Sequence, residues 1–136
     1  MADSVFTKII KGEIPAYKIY ENELTLAFLD SHPKQPGHVL VISKKETDHL
    51  WDLPDEDYFA VMGTSRKVAN RLREVLHPAR IAMQVEGLGV PHAHVHIFPF
   101  ATPEEFHAVG RMDKPPDNAA LKAMAEKLKF GGGENA

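Results

Sequence analysis

Three histidines recur at period two in the segment Val90-Pro91-His92-Ala93-His94-Val95-His96-Ile97-Phe98-Pro99. In an extended chain alternate side chains share a face, so His92, His94 and His96 line up together while Ala93, Val95 and Ile97 form an apolar back. Imidazole, with an ordinary pKa of about 6.5, can serve near neutral pH as nucleophile, general acid or oxyanion partner. For attack, one ring nitrogen must be unprotonated while the other donates to an acceptor that fixes the tautomer. The plain alternative is a solvated polar strand face. A sharper one is a metal site, because neutral imidazoles ligate zinc. At roughly 3.3 Å per residue, His92 and His96 lie about 13 Å apart along a strand, too far for one small ion to reach both. Further ligands would have to come from His38 or a carboxylate. The chain has no cysteine, which excludes thiolate metal sites, thiol nucleophiles and disulfides. The spacing alone favours catalytic histidines by a narrow margin and leaves the metal reading open.

The elements that must hold these residues are legible from pattern. Ser4 can cap a short helix carrying Phe6, Ile9 and Ile10, stopped by Gly12 and Pro15. Lys18 to Tyr20 and Leu24 to Leu29, joined by Glu21-Asn22-Glu23, predict a hairpin, and His38 to Ser43 a third strand beyond the turn-rich loop from Asp30 to Gly37. From Asp55 to Leu76 the apolar residues Tyr58, Val61, Met62, Val68, Ala69, Leu72, Val75 and Leu76 keep helical spacing. Arg80 to Gln84 follows as a strand, then a glycine turn at Glu86 to Gly89, then a strand from Ala93 to Phe98 ended by Pro99. A last helix from about Asp117 carries Leu121, Met124, Ala125 and Leu128. The fold class is α+β, a mostly antiparallel sheet with helices packed on it.

At 136 residues the chain suits one domain, expected over 1–130, with 131–136 (GGGENA) a flexible tail. The composition, 43% hydrophobic and 26% charged, is that of an ordinary globule. A net charge of -3 without a basic block argues against duplex nucleic acid as a partner. With neither a signal-like start nor a membrane-length apolar run, the expectation is a cytoplasmic protein that does not engage the membrane.

The His-x-His-x-His run followed by two apolar residues and Pro99 resembles the signature of the histidine triad (HIT) family of nucleotidyl hydrolases and transferases. Two further stretches are similar to that family's Hint branch: Asp3 to Pro15 (DSVFTKIIKGEIP) and Ala27 to Lys44 (AFLDSHPKQPGHVLVISK). The three occur in family order across residues 3 to about 99. The resemblance implies a HIT-like fold: a five-stranded sheet, one long helix, a short N-terminal helix and a C-terminal helix. It implies a nucleoside phosphoramidase or related nucleotidyl hydrolase, acting on a purine nucleotide as a homodimer, with no metal and no cofactor expected.

Carried over residue by residue, the resemblance makes His94 the nucleophile that attacks the α-phosphorus and forms a covalent nucleotidyl-histidine. His92, His96 and His38 would then surround the phosphoryl oxygens, with protonated imidazoles and backbone N–H groups stabilising developing charge. Phe6, Ile9, Phe28 and Leu29 would line the nucleoside pocket, although core packing explains a strand residue such as Phe28 nearly as well. Asp30 would accept from the ribose hydroxyls. Leu88 and Gly89 stand where the branch carries Gln and Ser, so no hydroxyl reaches the scissile phosphate, leaving the N–H groups of Gly89 and Val90 to hold it. Gln84 resembles a Gln of the related Fhit branch, which keeps a dinucleoside polyphosphate hydrolase as the alternative substrate class. The lost hydroxyl keeps open a nucleotide-binding module of weak turnover, and the histidines a metal-dependent hydrolase. The only tryptophan is Trp51, so the C-terminal Trp that reaches the partner's site in some members is missing.

Overall fold

The computed structural model describes residues 3–130, and the tail expected at 131–136 lies outside them. Helix α1 (Val5–Ile10) begins where Ser4 Oγ accepts the Thr7 N–H at 3.0 Å, the cap expected of a serine at that position. Strands β1 (Lys18–Glu21) and β2 (Thr25–Leu29) form a hairpin whose turn is tied by Asn22, since its Oδ1 accepts the N–H groups of Leu24 and Thr25 at 3.0 and 2.8 Å. β3 (Val39–Ser43) follows, then the 22-residue helix α2 (Asp55–Leu76), with Asp55, Glu56 and Asp57 opposing the dipole of its first turn. β4 (Arg80–Gln84), β5 (His94–Phe100), the single turn α3 (Pro103–Phe106) and α4 (Asn118–Leu128) complete the chain.

The sheet is antiparallel throughout, in the order β1-β2-β3-β5-β4. It buries both faces. Toward α2 and α4 it presents Ala27, Leu29, Val39, Val41, Val95 and Ile97, which pack on Val61, Val68, Leu72, Leu121 and Leu128. The opposite face presents Leu26, Phe28, Leu40 and Ile42, covered by Phe6 and Ile9 of α1. His94 pairs with Ile42 and His96 with Leu40, and directly paired residues share a face, so both histidines project on the α1 side.

Two details differ from expectation. Pro99 does not end β5, which continues to Phe100. Beyond the Val39–Ile97 pair β3 no longer flanks it, so Pro99 sits where β5 is hydrogen-bonded only toward β4, a position a sheet tolerates. His92 precedes β5 rather than belonging to it. No helix among the described residues is long and apolar enough to cross a membrane.

Candidate active site

The site forms where the start of β5 meets the α1 face. His94 is buried to 5% exposure, and its Nδ1 lies 2.6 Å from the His92 carbonyl oxygen. A carbonyl only accepts, so Nδ1 carries a proton, and in the neutral ring Nε2 holds the lone pair. Backbone geometry thus supplies the acceptor a nucleophilic histidine needs.

The same reasoning fixes the other rings. The Lys34 N–H donates to His38 Nδ1 at 3.1 Å, so the proton of neutral His38 is on Nε2, which donates to His96 Nδ1 at 3.0 Å. His96 therefore holds its proton on Nε2. That nitrogen is the only buried side-chain polar atom without a partner among the described residues, a donor left for a ligand to satisfy. Burial, with the nearby His96, pushes His38 down to about 3, and burial with the nearby His94 pushes His96 down to about 4. Both are neutral at pH 7, so the expected cationic imidazoles are replaced by neutral N–H donors.

His92 differs from expectation. It is fully buried, with Nε2 donating to the Ser43 carbonyl at 2.7 Å and Nδ1 2.7 Å from Ser4 Oγ. No edge of the ring is left for a phosphate. Its contribution to the site is the carbonyl that orients His94.

Phe6, Ile9 and Phe28 lie together on the α1 face, where Phe6 meets the His94 ring edge-on at 5.0 Å and Phe28 at 5.6 Å. Leu29 is not with them. Strand alternation turns it into the α2 core, so it is a core residue and not part of a pocket on the histidine side. Asp30 follows β2, its Oδ1 accepting the His32 N–H at 2.8 Å and its Oδ2 lying 3.7 Å from His38 Nε2. Burial raises its pKa, while the His32 N–H opposes the rise. Gln84 pairs with His96 and so shares its face, and its Oε1 accepts from Lys34 Nζ at 2.7 Å. Gly89 lies in the irregular segment between β4 and β5, and Val90 packs against the apolar cluster on the α1 face.

Sequence reasoning missed Ser43, Lys34 and the backbone of His32. These act through carbonyls, amides or residues remote in the chain, which no local pattern flags. As for cations, among the described residues Asp30, His38 and His96 are one group of three whose candidate donor atoms all lie within 4.8 Å of one another. Two imidazoles and a carboxylate are a set that zinc accepts.

Residues 11–102 match the HIT domain, about two-thirds of the chain. The chain belongs to the HIT family. Among HIT relatives, the adenosine 5'-monophosphoramidase hnt1 of Schizosaccharomyces pombe is 34% identical over 129 residues, covering 91% of this chain and 94% of that protein. A HIT-like protein involved in cell-cycle regulation from Bartonella henselae superposes with a TM-score of 0.81 at 29% identity, covering 93% of each chain. A zinc-bound histidine triad family protein from Mycobacterium smegmatis superposes with a TM-score of 0.71 at 30% identity, covering 91% of this chain and 94% of that one. The HIT-like α+β fold expected from the sequence is the fold observed.

Proposed function

We propose that this HIT protein is a nucleotide hydrolase that cleaves a purine nucleoside phosphoramidate, or a related conjugate, at the α-phosphate. The observation that carries the reading is the tautomer of His94, whose Nδ1–H is committed to the His92 carbonyl while Nε2 is free to attack. In the first step Nε2 forms a bond to the α-phosphorus as the bond to the leaving group breaks, and the leaving amine takes up a proton from solvent as it departs. In the second, water attacks phosphorus and gives up a proton to solvent as the P–N bond to His94 breaks, which returns the lone pair to Nε2 and releases the nucleoside monophosphate. His96 Nε2–H donates to a phosphoryl oxygen, and His38 holds His96 in the tautomer that can do so. Asp30 accepts from the ribose hydroxyls, with Phe6, Ile9 and Phe28 against the nucleoside. The amides of Gly89 and Val90 complete the phosphate site. The similarity to the fission yeast phosphoramidase across nearly the whole chain supports this substrate class over a dinucleoside polyphosphate.

His94→Ala tests the reading. It is expected to abolish turnover while leaving nucleoside monophosphate affinity within about threefold of wild type, because the nucleophile and the nucleoside pocket are different groups. Retention of more than about a tenth of kcat, a loss below roughly 1.4 kcal/mol, overturns the assignment.

A metal-dependent reading draws on the Asp30, His38 and His96 group and on the zinc-bound mycobacterial relative. Total metal analysis of untagged protein decides it, since near-stoichiometric zinc at this site would displace the metal-free mechanism. We further propose a cytoplasmic homodimer. β4 leaves one edge of the sheet unpaired and carries Met83 at 46% exposure, a strand that a second copy would extend. Sedimentation equilibrium of the full chain reads the stoichiometry directly.

A further inference from the structure

His92 is pinned at both ring nitrogens, and one of the pins comes from the other end of the chain. Nε2–H donates to the Ser43 carbonyl, so Nδ1 of the neutral ring carries only a lone pair and Ser4 must donate its hydroxyl proton to it at 2.7 Å. Having spent that proton, Ser4 Oγ accepts the Thr7 N–H at 3.0 Å. The Thr7 hydroxyl in turn donates to Glu46 Oε1 at 2.5 Å, and the Ser4 N–H donates to the same oxygen at 2.8 Å. Glu46 comes from the loop after β3, 42 residues from Ser4, and its Oε1 stands 4.0 Å from His92 Nδ1. These two hydrogen bonds draw the Glu46 carboxyl below its usual range, which keeps it an acceptor. Ser4 is therefore anchored to the loop through its own N–H and through Thr7, both ending on Glu46, and its hydroxyl donates to His92.

The residue so fixed is the one whose carbonyl receives His94 Nδ1–H. We propose that Ser4, supported by Thr7 and Glu46, is a positioning residue for catalysis: its hydroxyl holds His92 so that the His92 carbonyl keeps His94 in the Nδ1–H tautomer. The inference rests on the reading of His94 as the nucleophile. It makes docking of α1 a condition for activity as well as for the nucleoside wall that Phe6 supplies. If the His92 ring is released, its carbonyl no longer has a fixed direction. His94 then samples the Nε2–H tautomer, in which the attacking lone pair is gone.

The test separates this role from helix capping. Ser4→Asp retains an acceptor for the Thr7 N–H but has no proton to give to neutral His92, whereas Ser4→Thr retains both functions. Ser4→Asp and Ser4→Ala are expected to lower kcat by about 10- to 100-fold with AMP affinity within about threefold of wild type. Ser4→Thr is expected to restore kcat. Long-range nitrogen–proton NMR of the imidazoles supplies an independent readout, with His94 in a single Nδ1–H form in wild type and in mixed tautomers in Ser4→Asp. Glu46→Ala frees the Thr7 hydroxyl, 3.4 Å from His92 Nδ1, to compete with Ser4, and is expected to give a smaller loss of the same kind. Wild-type kcat together with an unchanged His94 tautomer in Ser4→Asp and Ser4→Ala overturns the proposal. Turnover by His94→Ala would instead remove the reading beneath it, so the two failures are told apart.

Discussion

Acidification from pH 7 to pH 5 is expected to destabilise this protein through two histidines that the fold keeps neutral. His38, 2% exposed, is held at about 3 and His96 at about 4. In the unfolded chain both return to about 6.5. Because the folded values lie below the unfolded ones, the unfolded chain binds more protons in this range. Stability is complete above pH 7 and is lost as pH falls through 6.5 toward 4. At pH 5 each unfolded imidazole is about 1.5 pH units below its pKa, which at about 1.4 kcal/mol per unit favours unfolding by about 2 kcal/mol. His96 is partly open to water, so its share is discounted, and a combined loss of about 2–4 kcal/mol is expected. The lowered pKa of His92 adds to this loss, whereas Asp30, whose carboxyl is raised, gains stability as pH falls and offsets part of it. Against the 5–15 kcal/mol typical of a domain, the effect is large. Urea unfolding at the two pH values reads it as a drop in the midpoint at constant slope. Coincident midpoints, or an NMR titration placing His38 near 6.5, would refute the reasoning.

Other perturbations probe separate parts of the site and fold. Asp30→Ala is expected to weaken AMP about 10- to 100-fold, the value of hydrogen bonds to a charged acceptor, and 2'-deoxy-AMP much less; equal losses in titration calorimetry would remove Asp30 from the ribose. Phe6→Ala opens the wall beside His94 and Phe28, and is expected to raise the AMP dissociation constant by more than tenfold while also destabilising the fold by about 3 kcal/mol. Leu29→Ala, by contrast, is expected to cost about 2–5 kcal/mol in urea unfolding with AMP affinity per folded molecule unchanged, since Leu29 faces α2; a selective loss of affinity would return it to the pocket.

Much of the architecture could be read from periodicity because the strands and α2 bury regular apolar faces. The bounds of α2 agree with its spacing from Asp55 to Leu76, and those of β4 with Arg80 to Gln84. The turn α3 went unnoticed, although Thr102-Pro103-Glu104-Glu105 carries a start signal: Thr102 Oγ1 accepts the Glu105 N–H at 3.2 Å. At the site, residue types and spacing pointed to His92, His94 and His96, and the resemblance added His38, Asp30 and Phe6. What escaped was the direction of each hydrogen bond. Ser4 is legible as a helix cap, but nothing local says that the same hydroxyl serves His92, 88 residues away. Period two put His92 on the phosphate face, whereas it sits just before the strand, enclosed by Ser43 and α1. Leu29 was misplaced because a carried-over contact took precedence over the alternation that separates it from Phe28.

The central claim is covalent transfer to His94 Nε2. Intact-protein mass spectrometry after brief incubation with an adenosine phosphoramidate and rapid acid-free quench tests it most directly. A transient gain of one adenylyl group in wild type, absent from His94→Ala, is the predicted result. Release of AMP by wild type with no adduct at any quench time, or an adduct that persists in His94→Ala, would contradict it.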